Sequence, residues 1–255
     1  MDRKQDPVGV FDSGVGGISA LREMRRVLPS ETYIYYGDIR NAPYGTKSTD
    51  EVIECARAVV KGLLDQRIKA LVIACNTATG AAAATLRREL TIPVIGMEPA
   101  LKPASEIRKN GRILVLATPL TLHQEKFNRL MEKYGEGAER VPCNGLMELV
   151  ENEDFCGAEQ YLRNLFSGFD MAHVDAVVLG CTHYVFLKDM IRDMIPDGTA
   201  ITEGSEGTAR QLLRVLHKND LLNEQGEGRV ILQTSGTEKD ILLMRKLLET
   251  DKMGR

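Results

Sequence analysis

The sequence predicts an α/β protein: two similar, pseudo-duplicated α/β domains with largely parallel sheets, facing each other across a cleft. Three observations predict it. Short continuous apolar runs alternate with stretches of helical periodicity, as expected of parallel strands buried on both faces and joined by crossover helices. Two of these runs end in a cysteine followed by small polar residues, at Cys75-Asn76-Thr77 and Cys181-Thr182-His183. These cysteines lie 181 − 75 = 106 residues apart, and the same offset carries Asp12 onto Thr118, Tyr44-Gly45 onto Val150-Glu151 and Ile95-Gly96 onto Ile201-Thr202. One register relating four strand ends implies two copies of one unit, each bringing one thiol to a shared cleft.

The elements follow in order. Residues 8–11 form a buried strand, and the loop Asp12-Ser13-Gly14-Val15-Gly16-Gly17 leads into a helix over 18–28 closed by Pro29. A strand over 33–36 is followed by a polar loop and a helix opened by the capping box of Ser48 and Glu51. That helix carries Val52, Ala56, Val59 and Leu63 on one face. A strand over 71–74, a helix over 79–90 and a strand at 94–95 complete the first copy. The second repeats the order, with a strand over 113–116 and then Thr118-Pro119, an N-cap with proline in the first turn. A helix aligning Phe127, Leu130, Met131 and Tyr134, a strand over 139–141, a helix over 158–166 and a strand over 177–179 follow. The strand over 229–232 and the helix over 239–248 lie beyond the second copy and are expected to return to the first. Residues 1–98 with 208–255 then make a discontinuous first domain, and 99–207 the second.

Composition narrows the chemistry. With 255 residues, 43% hydrophobic and 27% charged, the chain can bury a substantial core. A net charge of −3 gives no reason to expect nucleic acid or an anionic membrane as a partner. The five cysteines lack CxxC spacing, which argues against a disulfide framework and against a metal site. The polar N-terminus lacks a signal-peptide core and no apolar run reaches membrane-spanning length, so a cytoplasmic protein with reduced thiols is expected.

Cysteine is among the most buried residue types, and packing or simple surface placement is the plain reading of Cys55, Cys143 and Cys156. Cys75 and Cys181 differ because they end parallel strands, where open α/β sheets place ligands. The spacing of Gly14, Gly16 and Gly17 does not match a dinucleotide fingerprint and no Walker lysine follows. These glycines instead suit a tight turn that lets the backbone approach a small anion at a helix N-terminus. Asp12 fits a helix N-cap as well as a catalytic group, and His183 stands out among the histidines for lying two residues after a candidate base.

Four segments, taken together, resemble the glutamate racemase family: Phe11-Asp12-Ser13-Gly14-Val15-Gly16-Gly17, Pro43-Tyr44-Gly45, Ala74-Cys75-Asn76-Thr77-Ala78 and Gly180-Cys181-Thr182-His183-Tyr184. The resemblance runs in the family's order from residue 8 to 236. It implies two α/β domains around an active site between them, frequently in a homodimer. It also implies cofactor-independent interconversion of L- and D-glutamate, which supplies D-glutamate for peptidoglycan. Cys75 and Cys181 would be the opposed acid and base, assisted by Asp12 beside the first and by Glu151 and His183 beside the second. Substrate contacts carried over are Asp12, Ser13, Pro43, Tyr44, Gly45, Asn76, Thr77, Thr118, Thr121, Thr182 and His183. Val185-Phe186, where the family generally has proline and leucine, and the segment 201–207 depart from the usual pattern near the rim. An aspartate or other amino-acid racemase, or a ligand-binding or gyrase-inhibiting homologue, is the alternative.

Overall fold

The computed structural model describes residues 3–249. Its strands are β1 (Val8–Asp12), β2 (Tyr33–Gly37), β3 (Ala70–Ile73), β4 (Val94–Gly96), β5 (Arg112–Ala117), β6 (Ala138–Pro142), β7 (Val174–Leu179), β8 (Ala200–Glu203) and β9 (Val230–Thr234). They form two sheets, β4-β3-β1-β2-β9 and β8-β7-β5-β6, and every pairing is parallel. Apart from β9 the two orders are the same, as the 106-residue register requires.

The helices are α1 (Ile18–Val27), α2 (Thr49–Leu64), α3 (Asn76–Glu89), α4 (Leu101–Ile107), α5 (Pro119–His123), α6 (Glu125–Tyr134), α7 (Leu146–Glu151), α8 (Phe155–Phe166), α9 (Lys188–Arg192), α10 (Ser205–Lys218) and α11 (Glu238–Glu249). They cover both faces of the sheets. Successive residues of a strand point to opposite faces, so Val8, Val10 and Val72 pack with Leu21, Leu212 and Met244 of α1, α10 and α11. Phe11, Leu71 and Ile73 face the other way, onto Val52, Ala56 and Leu86 of α2 and α3. In the second sheet, Leu114 and Leu116 meet Leu146 and Leu162, while Ile113 and Val115 meet Leu101 and Phe127. This two-sided burial explains why β1 and β3 read as unbroken apolar runs.

Local signals decide where helices begin. The Ser48–Glu51 capping box opens α2, and Thr118 caps α5 with Pro119 in its first turn. The helix expected over 79–90 starts earlier, at Asn76, because the Cys75 sulfur takes the capping role and accepts the Ala78 N–H at 3.4 Å. Asp12 is not an N-cap: α1 starts only at Ile18, and the Asp12 carboxylate instead accepts the Gly14 N–H at 2.7 Å. The helices α7 and α10 occupy stretches that periodicity alone leaves unassigned.

In each sheet the chain steps from its central strand to one neighbour and then crosses to the other side, so a topological switch point opens between β1 and β3 and again between β5 and β7. Asp12, Ser13 and Cys75 sit at the first, Thr118 and Cys181 at the second. Beyond the second sheet, β9 pairs with β2, placing Val230 opposite Tyr33, and α11 packs on α1.

Candidate active site

The two switch points face each other across one small enclosed cavity, lined by Ser13, Gly45, Cys75, Asn76, Thr77, Thr118, Met147, Cys181, Thr182 and His183. Its volume is about 10 Å³, room for about one water, so admitting any amino acid requires the two halves to part. Every polar member of this wall except Gly45 is buried.

On the first side, Cys75 ends β3 and caps α3, and Ser13 Oγ lies 3.7 Å from its sulfur. Burial pushes the Cys75 thiol up to about 12, and the nearby Asp12 carboxylate pushes the same way. Burial also holds the Asp12 carboxyl above its usual range, against the pull of His183 and of the hydrogen bonds from Gly14 and Thr182. On the second side, Cys181 Sγ lies 3.7 Å from His183 Nδ1, and His183 Nε2 lies 2.9 Å from Glu151 Oε1. Burial alone would lower the His183 pKa, but its bonds to Cys181 and Glu151 outweigh that and hold the imidazolium well above its ordinary range.

The halves are tied together by polar contacts around the cavity. Thr182 Oγ1 donates to Asp12 Oδ2 at 3.1 Å, and the Val15 N–H donates to Glu151 Oε1 at 3.4 Å. Thr77 Oγ1 lies 3.0 Å from Thr118 Oγ1 and 2.9 Å from Thr121 Oγ1. The glycine turn after β1 makes this closeness possible. A Cβ at Gly14 would strike Glu151, and one at Gly16 would strike Thr182 and the His183 ring. The backbone of that turn therefore comes close to the opposite half of the protein.

Not every expected contact residue reaches the cavity. Tyr44 is buried, but its hydroxyl donates to Asp38 Oδ2 at 2.6 Å, and its neighbour Gly45 forms the wall against Thr118 instead. Pro43 is half-buried and stands behind them as the cap of the turn Tyr44–Thr46. Asp12 and Glu151 stand behind Thr182 and His183, and Thr121 behind Thr77 and Thr118. Two residues escaped the sequence reading. Met147 lines the cavity from α7, with nothing in its local sequence to mark it. Gln124 reaches across from the junction of α5 and α6 to bond Thr77. Among the described residues the buried Asn76 carbonyl oxygen has no partner, while its amide nitrogen lies 3.6 Å from the Met97 sulfur.

Paired thiols at equivalent switch points are matched by sequence. The family model for Asp/Glu/hydantoin racemases aligns with residues 16–212. The chain belongs to that family. It is 49% identical over 256 residues to the glutamate racemase of Clostridium acetobutylicum, covering 98% of this chain and 100% of that relative. It is 48% identical to the Clostridium novyi glutamate racemase, over 97% and 99% of the two chains. Among solved structures it is similar to glutamate racemase from Thermus thermophilus in complex with β-chloro-D-alanine, with TM-score 0.84, 34% identity and coverage of 98% and 96%. It is also similar to glutamate racemase from Francisella tularensis in complex with D-glutamate, with TM-score 0.81, 29% identity and the same coverage. The resemblance read from four short motifs, and the fold class with it, are borne out. Among the described residues of this racemase-family chain, no helix is long and apolar enough to cross a membrane.

Proposed function

We propose that this chain interconverts L- and D-glutamate by a two-thiol mechanism that needs no cofactor, supplying D-glutamate for peptidoglycan in the cytoplasm. The observation that carries the proposal is the pair Cys75 and Cys181, each at the switch point of its own sheet and both in the wall of one cavity. Removing a hydrogen from the α-carbon and returning one to the opposite face inverts its configuration. One cysteine as thiolate takes the proton from Cα, and the other as thiol delivers its own to the far side. Thiol and thiolate have then exchanged places, ready for the reverse reaction.

The surroundings suit unlike starting states. Burial favours the protonated form of Cys75, which suits it to act as the acid, while His183 Nδ1 lies 3.7 Å from Cys181 Sγ, within reach to assist that residue. Asp12 assists Cys75, and Glu151 holds His183. A glutamate ion brings two carboxylates and an ammonium. The hydroxyls of Ser13, Thr77, Thr118, Thr121 and Thr182 and the backbone at Gly45 are suited to the carboxylates. The unpartnered Asn76 carbonyl oxygen is suited to the ammonium, since leaving such a buried acceptor unpaired costs about 1–3 kcal/mol. Water exclusion by the closed cavity strengthens every one of these interactions.

This division of labour assigns residues 1–98 and 208–255 to the Cys75 domain and 99–207 to the Cys181 domain, with residues 1–2 and 250–255 outside the described structure. The addition of β9 to the first sheet supports it. A homodimer is proposed as the working assembly, to be checked by light scattering.

The deciding experiment is turnover in D₂O with each enantiomer of glutamate and aspartate and no added cofactor, followed by NMR at low conversion. Product from either glutamate enantiomer should carry deuterium at Cα while recovered substrate carries little, because the delivering thiol is not the one that took the hydrogen. Unlabelled product would remove the two-thiol assignment, and preferential turnover of aspartate would remove glutamate as the substrate.

A further inference from the structure

The segment 118–124 holds Thr77 at three points. Thr118 and Thr121 meet its hydroxyl, and Gln124 Nε2 donates to its carbonyl oxygen at 2.9 Å. The three residues recur every third position along α5 and its caps, which places them along one side of the turn. One short element of the second half thus grips one residue of the first. Gln124 itself is anchored: its N–H closes α5 on Leu120, and its carbonyl receives the Asn128 N–H inside α6.

The buried Gln124 side chain rests on Gly80, inside α3. A Cβ at Gly80 would coincide with Gln124 Oε1 and crowd the rest of the carboxamide. Apart from proline, glycine is the least favourable residue in a helix interior, and this contact gives its presence a reason. Cys75 lies two residues before Thr77, and its sulfur accepts the Ala78 N–H, so any tilt of the first turn of α3 moves the thiol.

We propose that Gln124, seated on Gly80, is a positioning residue: it fixes Thr77 and, through the first turn of α3, the Cys75 thiol relative to the opposite half of the site. The proposal rests on the role given to Cys75 above. The carboxamide supplies both the reach and the donor, and it touches none of the reacting atoms.

Three variants of the full chain test it: Gly80→Ala, Gln124→Ala and the double variant. Gly80→Ala should evict the carboxamide and lower kcat/KM roughly tenfold, well short of what a full 1 Å misplacement can cost. Most of that loss should fall on kcat, and both enantiomers should lose equally in kcat/KM because the equilibrium constant of racemisation is one. Gln124→Ala should lose a similar factor. In the double variant the alanine meets no carboxamide, so it should add less than about a twofold further loss while raising Tm by roughly 2–4 °C relative to Gln124→Ala alone, as a better helix former. Full activity in Gly80→Ala, or losses that multiply in the double variant, would overturn the proposal. If the unmutated chain does not turn over glutamate, the functional reading fails by itself. The thermal cycle still decides the contact: an equal effect of Gly80→Ala on Tm with and without the Gln124 side chain shows that no socket exists and overturns the proposal too.

Discussion

The two sides of the cavity have one architecture and two chemistries. Each thiol follows the strand beside the central one, at the same register position of the same strand order. Cys75, however, caps a regular helix and has Ser13 and Asp12 as neighbours. Cys181 opens the 3₁₀ segment Thr182–Leu187 without a cap bond, and that tighter winding brings His183 back onto the sulfur. The difference teaches how a duplicated fold can serve a reaction with two mirror-related halves. The sheets place the two thiols at like positions, and the loops give them unlike neighbours, Ser13 and Asp12 beside one and His183 beside the other.

The comparison breaks most sharply at the sulfurs. Cys75→Ser and Cys181→Ser should each lower racemisation by roughly a thousandfold or more, since a hydroxyl is far too weakly acidic to serve as a thiolate base. Circular dichroism with intact far-UV spectra checks this, and near-normal turnover in either variant would end the two-thiol reading. The next effect concerns the assisting groups. His183→Gln should cut kcat by about a hundredfold, most in the direction where Cys181 takes the hydrogen. Asp12→Asn should slow the opposite direction more. The kcat values from the two enantiomers would separate the two, and an equal fall of kcat in both directions would mean that the sides are not specialised.

Acid–base linkage sharpens the contrast without any substrate. Both His183 and Cys75 have folded pKa values above their unfolded ones, so each holds its proton longer in the folded chain. Their stabilisation is complete at low pH and is lost as pH rises through the folded value. For His183 the loss begins above about 6.5, and for Cys75 it runs from about 9 to about 12. Plots of Tm against pH should therefore lose the earlier decline in His183→Gln and show a shallower later one in Cys75→Ser, since burial pushes the Cys143 thiol up to about 12 as well. The smallest effect is at the rim, where Lys246 of α11 pairs with Glu153 beyond α7. Both partners are largely exposed, and such pairs contribute about 0–1 kcal/mol. Lys246→Ala should leave Tm within a few degrees and KM nearly unchanged.

What was legible in the sequence was whatever local pattern fixes. Strand ends showed as apolar runs, the capping box and Thr118-Pro119 marked helix starts, and the 106-residue offset put both cysteines at equivalent places. What stayed hidden depends on contacts between distant residues. A cysteine cap on α3 is outside the usual preference for oxygen side chains. The partner of the glycine turn lies more than a hundred residues away, at Glu151, Thr182 and His183. Tyr44 turns to Asp38 because a buried hydroxyl takes the nearest acceptor, and no spacing rule foretells it. Met147 and Gln124 belong to elements whose faces acquire meaning only once the second half closes on the first.

The hydroxyls of Thr77, Thr118 and Thr121 form a triangle with sides of 3.0, 2.9 and 2.9 Å. Three hydroxyls own three protons, and a closed ring of three bonds consumes all of them. The ring has nothing left to offer a visiting anion until it opens. A ligand that reaches it must return more than it takes, and a carboxylate can, because bonds to a charged oxygen are roughly twice as strong as neutral ones. An amide or a methyl group at the same spot would leave the ring shut or break it without compensation. Under the proposed function, the triangle would favour an ionised side chain through the count of protons it has to offer.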